Sequence, residues 1–471
     1  MNKVINKYFV LILLIIAIAF FLNKPSLNYF LFQDDFYNFN ITRIHNVIDF
    51  LNFFKFRNDI IAYRPISLQT YFFLLQYFFN FNAFGFRIVS MGIFFVCFLL
   101  LFKVSTIFAK SRQVGLFTAA LWILSSIHFM SLSQINYNMI GTFFYLTTTL
   151  LFLNCLKGNK WYYFFSVFSF LLAVGSFEFA VTWPLVIGLY CLIVLKKNAI
   201  LTLKIFSPFI IITVIYLILR SIYIKPPPII EYQIAFNQNS VKAFLWYFLW
   251  VFNIPEEFKK QVTTNLIFFN NTFLSEYWFL VSKAFIGAIL VLLLGIFIPI
   301  YFIIKDKVII DLKLVLFALI WFAVGISPVL LLPNHYFMMY LTMPSIGLYF
   351  LIAYLVYRSH KRFLFLLVLV IWLVTTKSTL DFYNINSYIV ESQRIARKFV
   401  TEVRYKLPNL PDNSIVYYSL PDKRFRQALM DQESIHAIYA NESISIYYNK
   451  EELLADFKTG LNRPVYIYLP K

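Results

Sequence analysis

Two carboxylates stand side by side in Gln33-Asp34-Asp35-Phe36, in a chain whose first 380 residues hold only 11 Asp and Glu. Adjacent carboxylates repel each other and are costly near a membrane. Such a pair is kept solvated, pinned by cations, or used for proton or metal chemistry. Glu178, in Ser176-Phe177-Glu178-Phe179-Ala180, is the only acidic residue between Asp59 and Glu231. An isolated carboxylate in an apolar run has a task or a structural hydrogen-bond partner. Arg64 either pairs with the acidic loop or binds a phosphate, since guanidinium matches both geometrically. Arg220, followed by Lys225 and three prolines, binds a phosphate or snorkels to the headgroups. His335, in Pro333-Asn334-His335-Tyr336, hydrogen-bonds a phosphate or polar substrate or is simply interfacial, and His128 and Gln134 are weaker candidates. The five histidines show neither HExxH nor paired-ligand spacing, so no structural zinc site is expected. Cys97, Cys155 and Cys191 lie in or at the ends of apolar runs, without metal or disulfide spacing, and act as small hydrophobes.

What must position these residues is a membrane bundle. The chain has 471 residues, 61% hydrophobic and 21% aromatic, with 13% charged and a mean hydropathy of +0.72. Soluble domains average roughly 25% charged residues, so this is a polytopic membrane protein. Residues 1–380 carry 29 basic against 11 acidic side chains, whereas residues 381–471 carry 12 against 11. A basic surplus dispersed between apolar segments follows the positive-inside rule and excludes a nucleic-acid footprint. Lys3 and Lys7 before an apolar run resemble a signal peptide, but no small-residue cleavage site follows, so an uncleaved first span is expected.

A spanning helix needs about 20 apolar residues. Segments near 8–23, 87–108, 113–129, 139–156, 161–177, 179–195, 203–222, 278–304, 312–331, 338–356 and 362–379 meet that requirement. They make about eleven spans, or thirteen if 66–80 and 241–254 also cross. With a cytoplasmic N-terminus and both doubtful stretches interfacial, the inner loops carry Lys103/Lys110/Arg112, Lys157/Lys160, Lys196/Lys197/Lys204, Lys305/Lys307/Lys313 and Arg358/Lys361/Arg362. The short outer loops at 128–138 and 332–337 carry no Lys or Arg. This topology puts the first loop (24–86), the 128–138 loop, Glu178, the 223–277 loop, His335 and the C-terminal residues on one extracytoplasmic face. Segments 36–54 and 66–80 suit helices lying in the headgroup plane, with a turn at Tyr63-Arg64-Pro65 because proline forbids helical continuation.

From about Asp381 the composition becomes that of a soluble domain. Residues 387–405 have helical spacing, and Ser414–Tyr418, Ser443–Tyr448 and Val465–Leu469 read as strands, with a short helix over 450–459. The expected architecture is an all-α polytopic transmembrane bundle over residues 1–380, followed by a small extracytoplasmic α/β domain over 381–471. That domain shows no catalytic motif.

Asp34-Asp35-Phe36 after the first span resembles the acidic motif of the GT-C superfamily of polytopic membrane glycosyltransferases. Arg64-Pro65-Ile66-Ser67 with Phe84-Gly85-Phe86-Arg87, Phe177-Glu178-Phe179-Ala180 and Pro344-Ser345-Ile346-Gly347 resemble it too. The likeness runs in order over most of the chain and is greatest to the protein O-mannosyltransferase and aminoarabinose-transferase type. Three positions depart: Arg87 stands where many relatives have histidine, Met338-Met339-Tyr340 lacks an arginine before the tyrosine, and Gln134–Asn138 lacks a carboxylate. The resemblance implies a GT-C fold, a polyprenyl-phosphate-linked sugar donor, and Asp34 or Asp35 as the catalytic carboxylate, with Asp34 the first choice. The second acid is left to hold Arg64 or a metal, or to anchor the loop.

The residues fit that chemistry on their own terms. Sugar transfer needs a base for the acceptor's proton and cations or donors for the leaving phosphate. Arg64, Glu178, Arg220 and His335 are the candidates for substrate binding. A single displacement implies inversion, and a divalent metal is allowed for but has no convincing ligand set. The expected partners are the lipid-linked donor, membrane lipid and an extracytoplasmic protein, glycan or lipid acceptor. The rival reading is a transporter or lipid flippase, which would place charges along a midplane path. A non-catalytic scaffold leaves the Asp pair and Glu178 without a role.

Overall fold

The computed structural model describes residues 2–468 except 59, 61, 135–136, 226–227, 263–268, 420–422 and 458–462. Ile135 and Asn136 of the second outer loop, Pro226, Pro227, the end of the expected 450–459 helix and Leu469 lie outside the described residues.

Helices occupy every stretch expected to span. Among the described residues six are long and apolar enough to cross a bilayer: Lys7–Asn28, Ala83–Ala109, Ala199–Tyr223, Asn271–Lys305, Leu312–Leu330 and Phe363–Asn386. Arg112–Ile123 and Ser126–Ser133, bent by 50°, would make a seventh, while Lys160–Val174, Glu178–Val194 and Ser345–Arg358 are shorter apolar helices. Length and composition therefore carry six or seven of the expected eleven spans, in a multi-pass membrane protein. The two doubtful stretches are helical as well, at Pro65–Phe79 and Gln238–Val251.

Local chemistry explains where these helices begin. Asn82, Asn159, Asn198 and Asn270 each accept a backbone N–H of the first turn, at 2.9 to 3.1 Å, satisfying donors that a helix leaves orphaned. The Pro344–Gly347 motif serves packing: a Cβ on Gly347 would sit 2.4 Å from the Ala318 carbonyl oxygen, so helix Ser345–Arg358 lies directly against Leu312–Leu330. Buried tryptophans at 122, 183, 246, 250, 321 and 372 fill the bundle centre.

The helix expected to end near 379 runs on to Asn386, past the expected domain boundary. The C-terminal part begins with Tyr388–Lys406, which buries Ile389, Val390, Gln393, Ala396, Phe399, Val400 and Val403 on one face. Its sheet is parallel and three-stranded, with β1 (Ile415–Tyr418) between β2 (Ser445–Tyr447) and β3 (Val465–Tyr468). Helices Lys423–Leu429 and Glu433–Tyr439, which sequence periodicity does not single out, pack this domain onto the first loop. Gln33 N–H donates to the Ala428 carbonyl at 2.9 Å, Phe30 N–H to Gln393 Oε1 at 3.1 Å, and Asn40 Nδ2 to the Glu433 carbonyl at 3.0 Å.

Candidate active site

The acidic loop is shaped by Gln33, whose φ of +50° and ψ of −124° are strained for a residue with a Cβ. Such a conformation costs about 1–3 kcal/mol and persists only where surroundings hold it. Here Ala428 takes the Gln33 N–H, and Gln134 Nε2 donates to Gln33 Oε1 at 3.2 Å. The chain then enters helix Asp34–Ile41 with both acids in its first turn, where the helix dipole favours negative charge.

Neighbouring residues on a helix point about 100° apart, and the two carboxylates meet different surroundings. Asp35 is 0% exposed; its Oδ2 accepts from Phe32 N–H at 3.1 Å and from Arg87 Nη2 at 3.4 Å. Its Oδ1 is enclosed without a partner among the described residues. Burial pushes the Asp35 carboxyl up to about 7, against the pull of Arg87 and Phe32 N–H. Arg87 is also tied to the Tyr29 and Phe30 carbonyls, at 3.4 and 3.1 Å, so this buried pair locks the loop to helix Ala83–Ala109. Asp34 is exposed, hence reachable, yet crowding by the protein around it raises its pKa while the Arg64 charge pulls it down.

Of the three roles left open for the second acid, the geometry matches anchoring of the loop: the cation beside Asp35 is Arg87, not Arg64, and Asp35 is buried while Asp34 is exposed. Among the described residues no group of three or more His, Cys, Asp or Glu has the placement to hold a metal ion.

Arg64 precedes Pro65, which starts the next helical turn, and donates to both oxygens of Glu178. The Nε bonds are 3.1 Å each and the Nη2 bond is 2.9 Å. Burial works to lower the Arg64 pKa, but the Glu178 charge outweighs it and holds the guanidinium above its ordinary value. Its plane lies 3.8 Å from the Tyr137 ring centroid, a cation–π contact. Phe177, Phe179 and Tyr340 stack beside it, with centroids 4.7 and 5.2 Å apart. Both carboxylate oxygens of Glu178 are thus engaged by Arg64.

Arg220 lies within electrostatic reach of Glu178, and its Nε is buried without a hydrogen-bond partner among the described residues. His335 Nε2 is 3.0 Å from the Tyr340 hydroxyl. Burial and the charges of Lys259 and Arg64 lower its pKa to about 4, so the imidazole is neutral at physiological pH. Asp34, Arg64, Glu178, Arg220 and His335 thus form one electrostatic cluster centred on Arg64.

Sequence reasoning missed a second acidic pair on the same face. Glu256 holds Lys259 at 2.9 Å and accepts from Met338 N–H at 3.1 Å. Lys259 sits among Trp250, Tyr336 and Phe337, 4.7 to 5.2 Å from their ring centroids. Glu257 lines a cleft with Lys260, Ser387, Tyr388 and Met338, and its Oε2 is buried without a partner among the described residues. Burial and the neighbouring Glu256 push Glu257 up to about 7. The rule that flagged Asp34-Asp35, adjacent acids in an acid-poor chain, applied equally to Glu256-Glu257.

No family model and no curated protein matches the chain. The cryo-EM structure of the arabinofuranosyltransferase AftD from Mycobacteria is similar, with a TM-score of 0.50 and 12% identity over 93% of this chain and 31% of that one. The crystal structure of the Archaeoglobus fulgidus oligosaccharyltransferase superposes with a TM-score of 0.47 and 10% identity, over 94% of this chain and 62% of that one. The chain thus spans under a third of the AftD chain and under two thirds of the second. The likeness to AftD shows that this chain shares the fold of the matched part of that structure.

Proposed function

We propose that the protein is an inverting glycosyltransferase that moves a sugar from a polyprenyl-phosphate donor to an extracytoplasmic hydroxyl acceptor. The observation that carries this reading is Asp34: a reachable carboxylate with a raised pKa, within electrostatic reach of Arg64. A raised pKa suits a general base, which works best near the operating pH. The acceptor oxygen attacks the anomeric carbon as Asp34 takes its proton. The bond from that carbon to the phosphate oxygen breaks, and the leaving phosphate keeps the electron pair. In this reading Arg64, oriented by Glu178, and Arg220, whose Nε has no hydrogen-bond partner among the described residues, bind that phosphate. Neutral His335 adds a hydrogen bond.

The fold on its own does not determine chemistry. The collection of charge at one end of the bundle, instead of along a midplane path, favours a surface-facing enzyme over a transporter or flippase. In this reading the N-terminus is cytoplasmic and the cluster extracytoplasmic. The test is transfer from a panel of radiolabelled polyprenyl-phosphate sugars to membrane extract by purified protein. Asp34→Asn should lower turnover of bound donor at least about 100-fold, the low end for a general base, with a much smaller change in donor affinity. Near-normal turnover in a correctly inserted Asp34→Asn protein would remove Asp34 from the chemistry.

A further inference from the structure

At the far end of helix Ala83–Ala109, about 40 Å from the acidic loop by helix length, three chain segments enclose a second cavity. It measures about 430 Å³ and is lined by Tyr8, Ser111, Arg112, Gln113, His360 and Arg362. Arg112, Gln113, His360 and Arg362 are exposed to it, and no carboxylate is among its walls. Lys361, between His360 and Arg362, is itself paired with Asp306 at 3.2 Å. Arg112 has its guanidinium 5.9 Å from the Tyr8 ring centroid, so that wall also offers an aromatic face. A concavity lined by one sign of charge concentrates ligands of the other sign. Guanidinium groups bind phosphate through paired N–H donors. Beyond the cavity, Val10 and Leu13 of the first helix and Leu366 of Phe363–Asn386 are exposed apolar side chains, where acyl chains would lie.

We propose that this cavity binds a phosphate-bearing anion, and that its source is the headgroup of an anionic phospholipid in the leaflet opposite the candidate active site. The inference does not rest on the glycosyltransferase reading. Basic pockets between membrane helices recognise such headgroups through charge at the bilayer surface.

Binding is measured by native mass spectrometry and thermal shift on the full-length protein, purified in mild detergent. The probes are phosphatidylglycerol, phosphatidylcholine and inorganic phosphate. The wild type should retain phosphatidylglycerol over phosphatidylcholine. The double variant Arg112→Gln/Arg362→Gln should bind it about 30-fold more weakly, from loss of two arginine contacts. Lys196→Gln/Lys197→Gln removes equal charge elsewhere on the same face and should leave affinity within about threefold. Stabilisation by inorganic phosphate alone, lost in the arginine variant, would support the site with a free anion as its source. An equal fall in both double variants would mean diffuse attraction and overturn the proposal, as would no preference for phosphatidylglycerol. Should the arginine double variant fail to purify, Arg112→Gln and Arg362→Gln are compared singly in the same way.

Discussion

Glu178→Gln keeps the shape of the side chain and removes its charge. In the native protein both carboxylate oxygens accept from Arg64 at 2.9 to 3.1 Å, and the two side chains are 13% and 15% exposed. At 2.9 Å and an effective dielectric of about 20, two unit charges attract by about 6 kcal/mol before desolvation is subtracted. Removing one partner of a buried pair typically costs about 3–5 kcal/mol, because the other charge is left uncompensated. The remaining exposure and the Tyr137 ring 3.8 Å from the guanidinium soften that loss, so about 3 kcal/mol is expected. The assay is denaturant unfolding in mixed micelles of wild type, Glu178→Gln, Arg64→Met and the double variant. The double variant should lose at least about 1 kcal/mol less than the sum of the singles, as for residues in direct contact. Sugar transfer should fall in Glu178→Gln although the protein inserts, because Arg64 loses its orientation. Additive losses, or full activity with unchanged stability in Glu178→Gln, would refute the pairing as the device that positions Arg64.

Asp35 and Glu257 both have pKa values pushed up to about 7. The folded chain therefore holds protons between the ordinary carboxylate range and pH about 7 that the unfolded chain releases, and this stability is fully present below about pH 4 and lost as pH rises through about 7. Asp35→Asn and Glu257→Gln should each flatten that slope in unfolding measurements, and an unchanged slope in both would contradict the burial argument. Gln33→Gly should hold or raise stability, since relief of about 1–3 kcal/mol of strain outweighs glycine's entropic cost of about 0.5–1 kcal/mol. Gln33→Val should lower it, and the reverse order would show that φ of +50° is not the constraint. For topology, Lys55→Cys and Thr401→Cys, in a background lacking Cys155, should label from outside with an impermeant reagent. Lys196→Cys and Lys361→Cys should stay protected, and the opposite pattern would invert the proposed orientation.

Much of the bundle was legible in the amino-acid order, because a bilayer imposes a length of about 20 apolar residues and biases Lys and Arg to one side. The short apolar helices, such as Lys160–Val174, show where that ruler loosens: their ends are set by packing and caps. Asp34-Asp35 stood out because acids are scarce in the first 380 residues, and the same scarcity made Glu178 conspicuous. Glu256-Glu257, in the 223–277 loop, meets the same criterion of adjacent acids in an acid-poor stretch. What no local pattern contained was the pairing. Asp35 meets Arg87 from 52 positions along the chain and Glu178 meets Arg64 across 114, while Gln33 is held by Ala428 of the C-terminal domain. Composition and periodicity report what each segment prefers alone, so they delivered the helices and the scarce acids. Which carboxylate is sealed and which stays reachable depends on what desolvates each one, and that is settled only when distant segments pack together.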